Sequence, residues 1–468
     1  MRRDYLRILF ACESYHPSIG GVQEVMRQLA ERLVERGHQV TVATSFLPER
    51  KSNELNGVRL AEFKVSGNLV WGLHGDVEAY RRYVIESDYD VFMVKAAQQW
   101  TFDALIAVLD RICKPKIFIP CGFSGLYEPA YADYFRQMPE AMRKFDRLIF
   151  YAMDYRDINF ARENGITNCT VIPNGANEHE FCVGRDPAFR ERHAILPEAF
   201  VVLTVGSLTR LKGHLEVAQA FERCEFKGRP AFLLLNGNVP RTASLARYGL
   251  FGQRLKQGWV TARSIYRSEG VARLSKWILR TLLVSARLGW EPRALGNMVP
   301  EILEDVVERI NARGAERRAV VKDLPRAELV QAFLNSDLFV FASKVEYSPL
   351  VLYEAAAAGL PFLSVSVGNV EEIARWTGGG VVLPSSKDEY GLTQADPVVL
   401  AREMGRLVGS PGELARLAKD ARRNWEAQFG WDKIVVHYER VFNECAAPAS
   451  GEAGAIEMLV PTQERVRQ

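Results

Sequence analysis

Two glutamates, Glu346 and Glu354, lie eight positions apart where an apolar run gives way to a helical pattern. The run Leu338–Ala342 ahead of them has the unbroken apolar character of a parallel strand that helices cover on both faces. Carboxylates accept hydrogen bonds from hydroxyl groups, whereas the unpaired amides at a helix start bind anions. The arrangement therefore predicts a site for a ligand that carries several hydroxyl groups and ends in phosphates, namely a nucleotide sugar.

The helix that holds the second glutamate is predicted to begin at Pro349 and to end near residue 358. Ser348 suits the N-cap position, and Pro349 suits the first helical position. The amides of Leu350 and Val351 then lack intrahelical partners and favour a bound diphosphate. The alternative is that both glutamates are solvated surface residues. Against it, the helix is otherwise so apolar that a glutamate within it needs a partner.

A lysine can supply the positive charge that such a site requires. Lys212 is predicted to open a helix directly after a strand and a glycine loop, where it can neutralise the charge that grows on a departing diphosphate. The alternative is an ordinary surface lysine, although the helix dipole disfavours a cation at a helix start. Near the amino terminus Gly20 and Gly21 also follow a strand and precede a helix, so they permit close approach of the backbone to a ligand.

The elements that position these residues alternate strand and helix in both halves of the chain. In the first half, strands are predicted at 6–10, 39–44, 90–94, 116–119 and 148–150, with helices at 23–36 and 101–112. In the second half, strands at 200–205 and 231–235 flank a helix at 215–226. Ligands of open α/β sheets bind at the carboxyl ends of the strands, so two such edges are expected to face each other across a cleft.

Five segments, taken together, resemble the family 4 glycosyltransferases, whose signature is a pair of glutamates separated by seven residues. The segments are His16–Val22, Arg36–Val42, Val171–Asn177, Gly206–Gly213 and Glu346–Glu354, in the family's order. The resemblance implies the GT-B fold, an α/β architecture of two Rossmann-like domains. It places an N-terminal domain at residues 1–178, completed by a C-terminal helix at 430–445, and a nucleotide-sugar domain at 179–429.

The resemblance also implies a role for each residue of the site. Glu354 is expected to hold the ribose, Glu346 the transferred sugar, and Lys212 the diphosphate. Ser207 stands where the family usually has an arginine, and Arg210 is expected to take over that contact with the diphosphate. The remaining expected donor contacts are Gly20, Gly21, Gly206, Ser207, Ser348, Leu350 and Val351.

The acceptor side departs from the family at Cys121, where many members have a histidine that contacts the transferred sugar. This cysteine is either a neighbour of the sugar or a small buried residue, the common fate of a free cysteine. His16 and Asn174 are further expected contacts to the sugar or the acceptor. The departures at Ser207 and Cys121 leave two alternatives open: a non-catalytic GT-B protein that binds nucleotide or glycan, and a nucleotide-sugar epimerase or hydrolase.

The implied reaction is a retaining transfer of a sugar from a UDP-sugar or GDP-sugar to a hydroxyl acceptor. The acceptor is expected to be a glycan or a lipid-linked glycan in the synthesis of a cell-surface polysaccharide or glycolipid.

A long basic insert at residues 239–298 interrupts the family pattern. Between residues 241 and 287 ten lysines and arginines accompany one acidic residue, Glu269, and aromatic residues are interleaved. Residues 271–288 predict an amphipathic cationic helix, which can lie on an anionic membrane. The alternative is a helical insert that packs on its own domain with a solvated basic face. Nucleic-acid binding is disfavoured because no recognised module is present.

Composition fits a two-domain globular enzyme. The 468 residues exceed the usual size of a single core, and 48% of them are hydrophobic. Seven scattered cysteines and no signal peptide predict a cytoplasmic protein, placed peripherally on the inner face of the plasma membrane by the insert. The pair Asp88 and Asp90 has the spacing of a metal motif, but it precedes a strand, on the edge away from the cleft. No metal or cofactor is predicted, and residues 446–468 are predicted to be disordered.

Overall fold

The computed structural model describes residues 5–18, 20–238, 302–388, 391–447 and 457–459. The predicted basic insert and most of the predicted disordered tail lie outside the described residues. The described residues form two α/β domains, each built on a parallel sheet; only the short edge strand at Glu54–Leu55, in the N-terminal sheet, runs antiparallel to its neighbour. This architecture confirms the predicted fold class.

The strands are β1 (Arg7–Ala11), β2 (Gln39–Ser45), β3 (Glu54–Leu55), β4 (Val58–Phe63), β5 (Val65–Asn68), β6 (Gly72–Gly75), β7 (Val91–Lys95), β8 (Lys116–Ile119), β9 (Arg147–Phe150), β10 (Cys169–Val171), β11 (Phe200–Val205), β12 (Ala231–Asn236), β13 (Arg317–Lys322), β14 (Leu338–Phe341), β15 (Phe362–Val365), β16 (Gly380–Leu383), β17 (Ser386–Lys387), β18 (Thr393–Gln394) and β19 (Glu457–Met458).

The α-helices are α1 (Gly21–Glu35), α2 (Val77–Glu86), α3 (Trp100–Asp103), α4 (Ala132–Arg143), α5 (Arg156–Glu163), α6 (Glu178–Phe181), α7 (Phe189–Arg192), α8 (His214–Arg223), α9 (Leu303–Asn311), α10 (Arg326–Leu334), α11 (Leu350–Ala357), α12 (Val370–Thr377), α13 (Pro397–Val408), α14 (Pro411–Asn424) and α15 (Trp431–Ala446). Short 3-10 turns lie at Ile106–Arg111, Pro129–Tyr131 and Arg210–Lys212, and a π turn at Trp425–Phe429.

The N-terminal sheet has the order β19-β10-β9-β8-β7-β1-β2-β4-β3, with β1 near its centre. Alternate residues of β1 enter cores on opposite faces, since Ile8 and Phe10 pack with α1 and α15, whereas Leu9 and Ala11 pack with the helices of the other face. A strand buried on both faces must be apolar throughout, which explains the pattern that the sequence shows there.

The C-terminal sheet has the order β13-β12-β11-β14-β15-β16 and is parallel throughout. Its first strand, β11, matches the predicted bounds at both ends. Because β11 and β14 are hydrogen-bonded neighbours that run in the same direction, the loops that follow them emerge side by side. One of these loops carries Lys212, and the other carries Glu346.

Two sequence predictions are wrong in their detail. The helix predicted at 101–112 is broken into α3 and a 3-10 turn, because the carboxylate of Asp103 accepts hydrogen bonds from Leu69 N at 2.8 Å and from the Tyr134 hydroxyl at 2.7 Å. In the predicted disordered tail, Glu457 and Met458 instead form strand β19, which adds to the sheet beside β10. Leu459 is buried there in the N-terminal core.

The chain crosses between the domains twice, and the two crossings touch. Ala176 pairs with Gly430 in an isolated bridge, and its amide donates to Phe429 O at 3.0 Å. Arg32 of α1 is buried beneath them. Its guanidinium donates to Glu178 Oε2 at 2.9 Å in the first crossing and to Asp432 Oδ1 at 2.7 Å in the second.

Candidate active site

The carboxylate of Glu346 meets the ammonium of Lys212 at the carboxyl edge of the C-terminal sheet. Lys212 Nζ lies 2.5 Å from Glu346 Oε1, and the Ser343 hydroxyl donates to the same oxygen at 2.8 Å. Both ionic side chains keep some exposure, 29% for the lysine and 14% for the glutamate. Among the described residues both hydrogen bonds end on Oε1, so Oε2 of Glu346 can accept from a ligand hydroxyl.

Backbone contacts between the two loops fix this pair. The amide of Lys344 donates to Leu211 O at 2.8 Å, and the Ser343 hydroxyl reaches the same carbonyl at 3.1 Å. Gly213 adopts a left-handed φ of 73°, and a Cβ atom at this position would lie 2.0 Å from the Ala342 carbonyl oxygen. Only glycine allows both the conformation and the close approach. The prediction that Lys212 opens a helix is wrong, because Lys212 ends a 3-10 turn and helix α8 begins two residues later, at His214.

Helix α11 begins at Leu350, one residue later than predicted. The prediction that Ser348 caps it is wrong, because Pro349 occupies the cap position and no side chain makes a capping hydrogen bond. The amides of Leu350 and Val351 nevertheless lie in the first turn, where an anion can be bound. A Cβ atom on Gly21 would be 3.9 Å from Leu350 Cδ1, so the N-terminal glycine loop lies directly against this helix start.

Glu354, in the second turn of α11, forms an ion pair that the sequence did not predict. Arg326 Nη2 lies 2.6 Å from Glu354 Oε1 and 2.6 Å from Glu180 Oε2. The two carboxylates raise the pKa of Arg326, although burial opposes them. Glu354 is thus held in place by a cation of α10, which is itself anchored to the segment that joins the domains.

The N-terminal domain clasps the loop that carries Glu346. The Tyr155 hydroxyl donates to Glu346 O at 2.6 Å, and the ring of Tyr155 stacks on that of Tyr347 at 4.7 Å. The amide of Tyr151 donates to the Tyr347 hydroxyl at 2.9 Å. Asn174, for which an acceptor contact is predicted, donates from its side-chain amide to the Ser348 carbonyl at 3.1 Å. Carboxyl-edge loops of the two sheets are therefore in direct contact.

Cys121 lies near this contact and is partly buried against the same core cluster as Tyr347. Its φ is 64°, and burial is the main cause that raises the pKa of its thiol, so the thiol is not poised to act as a thiolate nucleophile. The amide of Gly122 donates to Asp157 Oδ2 at 2.8 Å, and burial raises the pKa of Asp157 to about 6.

A lysine that the sequence analysis did not select lies at the end of β7. Lys95 is 1% exposed, and its Nζ is 5.0 Å from the centroid of the Tyr151 ring. Burial lowers its pKa to about 8, while the neighbouring thiols of Cys121 and Cys12 oppose that shift. In the sequence, this residue could have been identified as the single lysine at the end of an otherwise apolar strand.

The other predicted site residues are placed as follows. Arg210 is exposed in the same 3-10 turn as Lys212. Gly206 and Ser207 begin that loop, and the amide of Gly206 donates to Asn236 O at 3.0 Å. Gly20 precedes α1, and His16 is exposed in the loop ahead of it, where its carbonyl accepts from Arg50 Nη2 at 3.1 Å.

Asp88 and Asp90 lie at the amino end of β7, on the edge away from these loops. Both are bound by Arg7, whose Nη2 lies 2.7 Å from Asp90 Oδ1. None of the described helices is long and apolar enough to cross a membrane.

Two family models match the chain and divide it as the fold does. Glycosyltransferase Family 4 matches residues 19–180, and Glycosyl transferases group 1 matches residues 305–393, which contain the two glutamates. The chain belongs to the family 4 glycosyltransferases. Membership in this family accounts for the order of the five sequence segments along the chain.

Curated relatives align with part of the chain. The D-inositol 3-phosphate glycosyltransferase of Thermobispora bispora is 28% identical over 166 residues, which cover 36% of this chain and 36% of that protein. The MMP alpha-(1->4)-mannosyltransferase of Mycolicibacterium hassiacum is 28% identical over 120 residues, covering 26% and 27%. The chain therefore spans about a third or less of the length of these relatives.

Solved structures match nearly the whole chain. Sucrose-phosphate synthase from Thermosynechococcus elongatus has a TM-score of 0.61 at 17% identity, with 94% of this chain and 98% of that chain covered. Anabaena HepE in complex with UDP has a TM-score of 0.61 at 16% identity, with 93% and 99% covered. The shared fold is GT-B, with two Rossmann-like domains.

Proposed function

We propose that this protein transfers a sugar from a nucleoside diphosphate sugar to a hydroxyl group of an acceptor, with retention of configuration at the anomeric carbon. The observation that carries the proposal is the pairing of Lys212 with Glu346 beside the start of α11, with Glu354 in the next turn. A cation, free amides and two carboxylates on one edge match the phosphates and hydroxyl groups of such a donor.

The proposed donor is a UDP-sugar or a GDP-sugar. The similar Anabaena HepE was solved with UDP and with UDP-glucose, which favours uridine as the first base to test. Lys212 and Arg210 would bind the diphosphate together with the amides of Leu350 and Val351. Glu354 would accept hydrogen bonds from the ribose, and Glu346 from the transferred sugar.

In the proposed reaction, the bond between the anomeric carbon and the diphosphate oxygen breaks while a bond from the acceptor oxygen forms on the same face of the sugar. The acceptor proton passes to the departing phosphate oxygen. Lys212 stabilises the negative charge of that leaving group, which is the contribution expected to dominate the rate. Two of the predicted acceptor-side residues, Cys121 and His16, border the place where the acceptor would enter. Asn174 acts through its contact with the Ser348 carbonyl, as a positioning residue.

The proposal is tested by nucleotide release from a panel of UDP- and GDP-sugars, with and without sugar and lipid-linked acceptors. Acceptor-dependent release from one donor is expected, and proton NMR of the product gives the anomeric configuration. A nucleotide that raises the melting temperature while no donor is consumed would establish a binding protein instead. Release without any acceptor would indicate a hydrolase.

The two glutamates should respond differently to substitution. We expect Glu354→Ala to raise the KM for the donor, because the ribose hydroxyl groups lose the carboxylate that accepts their hydrogen bonds. We expect Glu346→Ala to lower kcat more than it weakens nucleotide binding. Glu304→Ala, on the exposed face of α9, is the control. If both site variants kept the wild-type rates, the assignment would be wrong.

We further propose that the basic insert at 239–298 binds the anionic surface of a membrane, which suits a lipid-linked acceptor in the synthesis of a cell-surface glycan. Between residues 241 and 287, ten basic residues against one acidic residue support this proposal, since each lysine or arginine near such a surface contributes about 1 kcal/mol. Flotation with anionic and neutral liposomes, with and without residues 241–290, tests it. Equal flotation of both forms on anionic liposomes would exclude the insert as the membrane contact.

A further inference from the structure

Two aromatic side chains stand out on the surface of the N-terminal domain. Trp71 is 66% exposed at the tip of the β5–β6 hairpin, and Tyr127 is 75% exposed in the loop after β8. The hairpin tip reaches the carboxyl edge of the N-terminal sheet, because the Asn68 side-chain amide approaches the carbonyl of Gln98, just after β7, at 3.4 Å. Both aromatic residues therefore belong to the edge that faces the donor site.

The ring of Trp71 is held in one orientation although it is exposed. Its indole N–H donates to the Tyr131 hydroxyl at 3.2 Å, and the two rings meet at 83° with centroids 6.5 Å apart. Asn68 stabilises the tip by accepting hydrogen bonds from the amides of Val70 and Trp71 at 3.0 and 2.9 Å. The indole ring thus presents a large flat apolar surface to solvent. Because the ring is already fixed, binding of a ligand costs little further side-chain entropy.

Tyr127 begins a series of stacked groups that leads to Glu346. The guanidinium of Arg156 lies 5.4 Å from the centroid of the Tyr127 ring and 5.9 Å from that of Tyr155. Tyr155 stacks on Tyr347, and its hydroxyl donates to the carbonyl of Glu346. Tyr127 is therefore connected to the candidate active site by side chains in contact.

The two loops between these aromatic residues have strained backbones. Gln98 and Cys121 have φ values of 64°, and Phe123 has a φ of 48°, in the left-handed region that these residues rarely adopt. The Gln98 side chain accepts a hydrogen bond from Gly125 N at 3.1 Å and so joins the loops. Strain of this kind persists where a fixed geometry serves binding or catalysis.

We propose that Trp71 and Tyr127 are stacking platforms for the pyranose rings of a neutral oligosaccharide acceptor, which follows the edge of the N-terminal sheet toward Glu346. A pyranose has an apolar C–H face and a rim of hydroxyl groups, so it matches a fixed aromatic face flanked by amide and hydroxyl groups. The acceptor class is therefore a glycan of more than one sugar unit. This inference rests on the proposed function and specifies its acceptor.

Charge disfavours an anionic membrane as the occupant. Near Tyr127, the exposed Glu128 offsets the charge of Arg156, and Asp133 pairs with Arg136 at 2.6 Å on the adjacent helix α4, so these residues carry no excess of positive charge. Binding to an anionic surface needs an excess of basic residues, whereas a neutral glycan does not. Continuity of the aromatic series with the donor site also fits an acceptor better than an unrelated partner.

Affinity electrophoresis of the full chain in native gels tests the proposal, with soluble amylose, mannan, dextran or xylan in the gel. Wild type is expected to be retarded by at least one of these, and Trp71→Ala and Tyr127→Ala are each expected to weaken that retardation at least fivefold. Trp71→Phe and Tyr127→Phe keep a ring and should retain most of it. Val436→Ala, which removes an exposed apolar side chain on α15, should change nothing.

Calorimetry with UDP or GDP, whichever the wild type binds, shows that each variant is folded and that its donor site is intact. The proposal is overturned if no polysaccharide retards the wild type, if the alanine variants are retarded equally, or if Val436→Ala loses as much retardation. It is also overturned if Trp71 is instead required for flotation on anionic liposomes. Retardation that depends on both rings, in a protein that consumes no donor, would refute the proposed transferase function and leave the glycan site standing.

Discussion

The two sheet edges that meet at the site differ in how they hold their ionic groups. On the C-terminal edge Lys212 is paired with Glu346 and Arg326 with Glu354, at 2.5 and 2.6 Å. On the N-terminal edge Lys95 is buried against an aromatic ring and two thiols. The C-terminal edge thus presents charged side chains that are already fixed for a charged ligand. The N-terminal edge instead has strained loops and a buried lysine beside an aromatic surface. The donor half is thus preorganised by electrostatics, and the acceptor half by shape.

The largest effect on the transfer rate should come from removing a charged side chain at the C-terminal edge. We expect Lys212→Ala to slow sugar transfer by about 100- to 1000-fold, because it removes a charge from the leaving group. Lys344→Ala is the matched control, since Lys344 lies on the adjacent loop and pairs with Glu216 at 2.9 Å. Single-turnover rates at saturating donor provide the measurement. Equal losses in the two variants would mean that the loop, and not the charge of Lys212, matters.

At the N-terminal edge, removing a charge should raise the stability of the protein, whereas at the C-terminal edge it lowers activity. The pKa of Lys95 is lowered in the folded protein to about 8, so the unfolded chain binds more protons than the folded chain above that pH. The free energy of unfolding should therefore rise with pH between about 8 and the ordinary lysine pKa of about 10.4. Lys95→Met removes this penalty and should stabilise the protein at pH 7 by about 2 to 3 kcal/mol.

Urea denaturation from pH 7 to pH 10.5 measures this difference. The advantage of Lys95→Met should shrink as the pH rises through the range in which the wild-type lysine loses its proton. The exposed Lys51→Met serves as the control and should match the wild type throughout. A Lys95→Met protein less stable than the wild type at pH 7 would show that the ammonium has a strong partner in the folded state.

A smaller effect, on nucleotide affinity, should follow from removing the cation that holds Glu354 in place. We expect Arg326→Met to weaken UDP binding about tenfold, or about 1.4 kcal/mol, because Glu354 and Glu180 would then repel each other and the ribose acceptor would shift. Arg192→Met is the matched control, since Arg192 is about as exposed as Arg326 and also bridges two carboxylates, Asp186 and Glu328, neither of which belongs to the candidate site. Calorimetry with UDP gives both affinities. Unchanged affinity in Arg326→Met would show that Glu354 needs no fixed partner.

The sequence predicted those features that are encoded by neighbouring residues. Strand β11 is apolar except for Thr204 and is buried over its whole length, so its bounds could be read directly. The adjacency of Lys212 and Glu346 followed from the rule that strand ends carry ligands, together with the family resemblance. The partner of Glu354 could not be predicted, because Arg326 lies 28 positions earlier and nothing in its surroundings indicates the pairing.

Long-range contacts also explain the errors. The helix predicted at 101–112 has good helical spacing, but Asp103 is recruited by Leu69 and Tyr134, which are distant in sequence. The β5–β6 hairpin went unpredicted although its glycines offered a turn signal, so Trp71 was not recognised as an exposed residue. Strand β19 completes the edge of a sheet formed much earlier in the chain, and composition alone does not reveal such an addition.

The contact between the two crossings has a mechanical consequence. Because Ala176 and Gly430 pair side by side and Arg32 holds both strands, the two links cannot bend independently. The two crossings therefore form one hinge, about which the domains can rotate when the contacts of Tyr155 with Glu346 and of Tyr151 with Tyr347 open. Binding of a donor to the C-terminal domain would then change the angle between the two domains by rotation about this hinge.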